Sequence, residues 1–116
     1  MSRKTLSVAG IGQSESKELA LVGEYIKIAR KRRGLSLRDF SVRMMVSVPT
    51  LISLENGSPS VGIGIFFRAL AVLGLEKKIA VILAPENDEA GMGIEIRRVK
   101  AIGVRKNSLT ETDLDF

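Results

Sequence analysis

The 116-residue chain contains no Cys and no His. That composition removes thiolate nucleophiles, disulfides and Zn–thiolate centres, together with the commonest general base and metal ligand. Among the carboxylates, Asp39, Glu55, Glu76 and the tail acids Glu111, Asp113 and Asp115 form no spacing that would pair two acids for proton chemistry. No enzyme activity, metal or cofactor is expected. The chemistry on offer is cationic binding. Lys17, Lys27, Arg30, Lys31, Arg32, Arg33, Arg38 and Arg43 stand against only Glu18, Glu24 and Asp39 in residues 17–43, within a chain of net charge +5. Such a concentration of charge suits an anionic partner, nucleic acid or an anionic membrane surface; a solvated helix face is the plainer alternative. Ser36 and Ser47 add a second capability, since each stands where a helix should begin. A serine there caps the helix and leaves an N-terminus able to face phosphate.

These groups need rigid elements to hold them. Residues 1–16 mix Ser, Gly and single apolar residues without period, and are expected to form a flexible arm. From Lys17 onward, Leu19, Leu21, Val22, Tyr25, Ile26, Ile28 and Ala29 recur at helical steps. That helix ends in Arg30–Arg33, where cations suit the macrodipole, and Gly34 is placed as a left-handed terminator. Ser36 then caps a helix to Arg43, with Asp39 as its capping-box partner and Leu37, Phe40 and Met44 on one face. Ser47 caps a third helix with Pro49 near its start and Leu51 and Leu54 turned inward, ending at Asn56-Gly57. Pro59-Ser60 opens a fourth, with an apolar stripe of Ile63, Phe66, Phe67, Leu70 and Leu73 closed by Gly74. Gly62 and Gly64 weaken its start, unless they admit another backbone. A short fifth helix over Glu76–Leu83 is broken by Pro85. The expectation is an all-α, five-helix domain over residues 17–84.

Residues 85–116 read as a C-terminal extension. After a polar loop, Ile94, Ile96, Val99, Ile102 and Val104 partly alternate with Glu95, Arg97 and Lys100, which predicts a β-strand over 94–104. A lone strand needs a partner, and the same strand of a second copy is the nearest one; a disordered basic segment is the alternative. Ser108–Phe116 is expected to be disordered. No apolar run reaches the roughly 18 residues of a membrane span, and no secretory signal is visible, so a cytoplasmic location is expected.

Two short helices joined by a tight turn, next to a basic helix, outline a helix-turn-helix. Three segments fill that outline: Arg33-Gly-Leu-Ser-Leu-Arg-Asp-Phe-Ser41, Val46-Ser-Val-Pro-Thr-Leu-Ile-Ser-Leu-Glu-Asn-Gly57, and Arg68-Ala-Leu-Ala-Val-Leu-Gly-Leu75. Over roughly residues 18–83 the chain resembles the lambda-repressor/Cro-like (XRE) family. Ser58-Pro-Ser-Val-Gly-Ile-Gly64, the segment Arg68–Glu76 and Ala84-Pro-Glu-Asn-Asp88 are similar more narrowly to the HipB-type antitoxins that accompany HipA-like kinases. A short basic C-terminal segment, here Arg97, Arg98, Arg105 and Lys106, continues that likeness.

The resemblance implies a lambda-repressor-like domain whose helix from Ser47 reads DNA. By alignment to the family motif, Val48, Pro49 and Ser53 would face base edges, with Thr50 and Ile52 near the backbone or groove wall. Arg38 and Arg43 would contact phosphates, as would Ser36 and Ser47 at their helix starts and the loop of Asn56 and Ser58 with the Gly57 amide. The set lacks Arg, Asn or Gln at the reading positions, so phosphate contacts and DNA shape would carry much of the recognition. Glu55 is read as a structural partner of a basic side chain. Met45 departs from the family, which has Gly with positive φ at this turn; either the turn is reshaped or DNA affinity is relaxed. The functional expectation is a sequence-specific repressor acting as a homodimer on palindromic double-stranded DNA, and an antitoxin that autorepresses its operon and binds a HipA-like kinase toxin. The alternatives are a solitary XRE-type repressor and a protein-interaction module with weakened DNA recognition.

Overall fold

The computed structural model describes residues 6–105. Among these, every regular element is helical: α1 (Leu6–Ala9), α2 (Gln13–Arg32), α3 (Leu37–Met44), α4 (Val48–Glu55), α5 (Ile63–Leu73), α6 (Lys78–Leu83), a 3-10 turn (Pro85–Asn87) and α7 (Glu89–Arg105). The five expected helices correspond to α2–α6. The chain divides into two compact units, one ending at Glu76 and the other beginning at Lys77. No helix of the described residues is long and apolar enough to cross a membrane.

The first unit is built around Ile26 of α2, Phe40 and Met44 of α3, Leu51 and Leu54 of α4, and Ala69 and Leu73 of α5. Phe40, Met44 and Leu51 are fully enclosed; burial of each such side chain stabilises by roughly 1.5–3 kcal/mol. All three were expected on inward faces. In α2 the buried line is Gly23, Ile26 and Arg30, narrower than the expected stripe. Leu21, Val22, Tyr25 and Ile28 are exposed. A helix on the edge of a small core buries only the arc that meets its neighbours.

The expected arm over residues 1–16 is replaced, among its described residues, by one turn of helix at Leu6–Ala9 and by the first turn of α2. Gly12 sits extended as the N-cap, the Ser16 amide donates to the Gly12 carbonyl at 3.0 Å, and Glu15 lies in the first turn, where the macrodipole favours an anion. Polar residues that read as loop by composition are common in a first turn. The fourth helix starts at Ile63 rather than at Pro59. Ser58–Val61 form a turn, with the Ser58 and Ser60 hydroxyls 2.8 Å apart.

Four helix ends share one terminator. Behind α2, α3, α4 and α5, a residue with positive φ turns the chain, and the following amide donates five residues back: Leu35 to Arg30, Val46 to Ser41, Ser58 to Ser53 and Leu75 to Leu70, at 2.8–3.2 Å. This bonding satisfies carbonyls that a helix end leaves open. The turning residues are Gly34, Met45, Gly57 and Gly74, and Met45 is the one non-glycine with positive φ among the described residues.

Glycine also sets how closely α2 meets the end of α4. A Cβ on Gly23 would lie 2.5 Å from the Glu55 carbonyl oxygen, and one on Gly57 would lie 2.5 Å from that of Leu19. Close approach of another backbone was the alternative reading of Gly62 and Gly64, and nothing lies within 4 Å of a Cβ at either.

In the second unit the expected strand over 94–104 is a helix. Asp88 caps it, its Oδ1 accepting from the Gly91 amide at 2.9 Å, and Glu89 follows in the first turn. Ile94 and Ile96 alternate with charges as a strand would, but Met92, Ile96, Val99 and Gly103 repeat at four- and three-residue steps. The described residues hold no strand to accept ladder bonds, and the segment satisfies its backbone within itself.

Candidate nucleic-acid interface

The candidate site residues lie on α3, on α4 and in the loop that follows α4. Ser36 caps α3 with both halves of a capping box: the Asp39 amide donates to Ser36 Oγ at 3.0 Å and the Ser36 amide donates to Asp39 Oδ2 at 3.3 Å. The Ser36 hydroxyl and amide hold the Asp39 carboxyl below the usual carboxylate range, with smaller contributions from Arg43 and Arg38. A carboxyl whose folded pKa is depressed stabilises the fold above its ordinary pKa and loses that contribution as pH falls through the depressed value. The expected result is an acid limb in the stability of the wild type that is smaller in Asp39→Asn, measured by denaturant unfolding between neutral and strongly acidic pH.

α4 is capped by Ser47, whose Oγ accepts from the Thr50 amide at 3.2 Å and lies 2.9 Å from the Thr50 hydroxyl. The two helix starts differ as anion sites. In α3 the capping serine uses the third amide and leaves those of Leu37 and Arg38 for a ligand. In α4 the second position is Pro49, which has no amide, so only the Val48 N–H remains. Of the two, α3 is the better phosphate cradle, and the exposed Arg38 side chain stands in its first turn.

At 3.6 residues per turn, burial of Leu51, Leu54 and Glu55 fixes the orientation of α4. Pro49, Ile52 and Asn56 are exposed and Ser53 is half-buried on the side away from that core, while Val48 and Thr50 are half-buried at its margins. The outward surface thus combines one hydroxyl, one amide and two apolar groups. Arg43 is exposed in the last turn of α3. Ser58 is half-buried, its hydroxyl bonded to Ser60, while the Asn56 side chain is exposed beside it.

Several charges have structural duties instead. Arg30 is buried, donating from Nε to Glu55 Oε2 at 2.7 Å, from Nη2 to Oε1 at 3.1 Å and from Nη1 to the Leu35 carbonyl at 2.9 Å. Glu55 is the expected structural partner of a basic residue, and the two acids nearest the interface, Asp39 and Glu55, are both committed to holding the fold. Arg33 donates to the carbonyls of Ala29 and Leu73 at 2.8 and 2.9 Å, and Arg68 donates to that of Met44 at 3.0 Å. The Arg30–Arg33 run therefore exposes three cations and not four, and of those three Arg33 is tied to two carbonyls while Lys31 and Arg32 extend from the end of α2. The inward turn of Arg30 was visible in its spacing, one helical turn beyond Ile26; nothing in the sequence marked Arg33 or Arg68 as clamps.

The turn between α3 and α4 is not reshaped around Met45. The residue takes φ 57° and ψ 43°, its side chain is 78% exposed, and the chain carries the strain. A left-handed non-glycine residue costs on the order of 1–2 kcal/mol, part of which a glycine gives back as unfolded-chain entropy. Met45→Gly is expected to be about 0.5–1 kcal/mol more stable, read as a higher denaturant midpoint at unchanged slope.

Residues 26–78, which run from the core of α2 to the start of α6, match a helix-turn-helix family model, HTH_3. None of the curated proteins and none of the solved structures compared with the chain matches it. That segment is thus similar to XRE/Cro-like helix-turn-helix domains, a DNA-binding family whose members are typically non-enzymatic.

Proposed function

We propose that this helix-turn-helix chain is a sequence-specific transcriptional repressor that binds palindromic double-stranded DNA as a homodimer. The observation that carries the reading is the arrangement of α3 and α4. A fixed, capped α3 start with Arg38 beside it suits a phosphate, and α4 turns Pro49, Ile52, Ser53 and Asn56 away from the core. Ser36, Arg38, Arg43, Ser47, Asn56 and Ser58 hold the sugar-phosphate backbone, while Val48, Pro49, Thr50, Ile52 and Ser53 meet the groove. Two such domains related by two-fold symmetry would place their reading helices about one turn of DNA, roughly 34 Å, apart.

The test is fluorescence anisotropy with a duplex from upstream of the chain's own gene, at low and moderate salt. Affinity is expected to fall steeply with salt. Arg38→Ala should weaken every duplex alike and reduce the salt slope by about 1 per lost contact, whereas Ser53→Ala and Val48→Ala should alter the preference among duplexes. Absence of binding at low salt overturns the proposal.

The narrower reading is an antitoxin that represses its own operon and binds a HipA-like kinase. It is supported by the resemblance of Ser58–Gly64, Arg68–Glu76 and Ala84–Asp88, and it requires a kinase-like reading frame beside the gene and a stoichiometric complex on co-expression. One observation favours a second reading, a protein-interaction module: Pro49 and Ile52 give the outward face of α4 an apolar surface with few hydrogen-bonding groups. A stoichiometric protein complex without duplex binding would select it.

A further inference from the structure

α7 carries a heptad seam with nothing on it. Met92, Ile96, Val99 and Gly103 follow one another by four, three and four residues, the spacing of alternating d and a positions of a coiled coil. Met92, Ile96 and Val99 are 39%, 54% and 50% exposed. In that register Glu95 takes a g position and Lys100 an e position, and both are exposed. A g residue in a parallel two-stranded coil faces the e residue five positions along in the partner, so Glu95 of each copy meets Lys100 of the other, twice per dimer. An antiparallel pair with Met92 facing Gly103 would set g against g and e against e, leaving Glu95 beside Ile102 and Lys100 beside Gly93 with no ion pair formed. The flanking charges therefore select one partner and one direction. The geometry points to parallel self-association of α7: its partner is the α7 of a second copy, in register, with Ile96 on Ile96 and Val99 on Val99.

This inference rests on the homodimer proposed above and gives it an interface. The two-fold axis of a parallel pair runs along the seam, which is the symmetry a palindromic site requires. The seam is under two heptads and ends in Gly103, so it is short for a coil that holds by itself. A duplex carrying two half-sites would supply the rest by keeping two copies at high effective concentration.

Because the chain has no cysteine, one introduced thiol reports the register. Val99→Cys is expected to form a disulfide-linked dimer under mild oxidation at high protein concentration on the order of tenfold faster than Ile94→Cys, which lies on the far side of the helix; pairing raises the effective thiol concentration. Adding Glu95→Lys to Val99→Cys should slow the reaction, and further adding Lys100→Glu should restore it. Equal rates for Val99→Cys and Ile94→Cys overturn the inference. So does faster linkage between Met92→Cys and Gly103→Cys chains than between two Val99→Cys chains, which would mean an antiparallel pair. Duplex binding of the uncrosslinked Val99→Cys protein is measured in parallel. A protein that binds DNA but does not link through residue 99 refutes this interface alone, while one that binds no duplex at low salt refutes the repressor reading whatever the thiols do.

Discussion

Glu55→Ala is expected to lower the stability of the helix-turn-helix unit by about 3–5 kcal/mol. The Arg30 guanidinium is buried with three of its nitrogens bonded, two of them to this one carboxylate. Removing the carboxylate leaves the cation out of water with only the Leu35 carbonyl, and an unpaired buried charge is among the most expensive defects a small domain can hold. Domains of this size have only about 5–15 kcal/mol in total, so the variant should sit near its unfolding transition at growth temperature. The loss belongs to the broken pair and not to the ion pair as a net stabiliser. Arg30→Met combined with Glu55→Met should therefore be markedly more stable than Glu55→Ala alone, because no charge is left without a partner. Denaturant unfolding of both variants decides the matter; a loss below about 1 kcal/mol for Glu55→Ala would mean that water reaches the guanidinium. The consequence for DNA binding is indirect. Glu55 ends α4 and Arg30 lies on α2, so the pair fixes the far end of the reading helix against the rest of the unit.

The parts of this molecule that were legible in the sequence are those decided locally. Ser36 with Asp39, Ser47 with Pro49, and Gly34, Gly57 and Gly74 each announce a helix boundary through chemistry that acts over three or four residues, and each does in the structure what its type suggests. Phe40, Met44, Leu51 and Leu54 were legible because short helices between firm caps leave only one inward face. What depended on neighbours distant in the chain was not. Leu21, Tyr25 and Ile28 repeat as convincingly as Ile26, yet of the four only Ile26 joins the buried core. Arg30 stands one turn beyond Ile26, which points it inward, but its partner Glu55 lies 25 residues away and no local pattern names it. The strand expected over 94–104 failed for a related reason: β-branched residues in partial alternation fit either period, and the described residues hold no strand for it to pair with. The interface was legible as a set of positions but not as a surface. Burial of Leu51 and Leu54 turns Pro49, Ile52, Ser53 and Asn56 outward together, while Val48 sits nearer the core than its motif position implies.

The same Gly→Ala change is expected to have opposite signs at two helical positions. Propensity alone favours alanine over glycine inside a helix by about 1 kcal/mol. At Gly64, in the exposed first turn of α5, a Cβ meets nothing within 4 Å, and Gly64→Ala should gain up to that amount. At Gly23 the new carbon would stand 2.5 Å from the Glu55 oxygen and 2.8 Å from the Gly57 nitrogen. Those are backbone atoms at the end of α4, and they cannot rotate aside as a side chain can. α2 and α4 must separate, opening the packing around Ile26 and straining the Arg30–Glu55 bonds, so Gly23→Ala should lose about 1–3 kcal/mol in spite of its better propensity. Gly74→Ala isolates the other cost, since φ is +77° there but the space is open; about 1 kcal/mol is expected. Gly57→Ala combines both, with φ +74° and the Leu19 carbonyl oxygen 2.5 Å from the new carbon, and should be the most damaging of the four at about 2–4 kcal/mol. Denaturant midpoints for the series test the ordering. If Gly23→Ala proves as stabilising as Gly64→Ala, then α2 and the end of α4 do not touch as closely as described, and the close approach that holds the end of the reading helix is lost as an explanation.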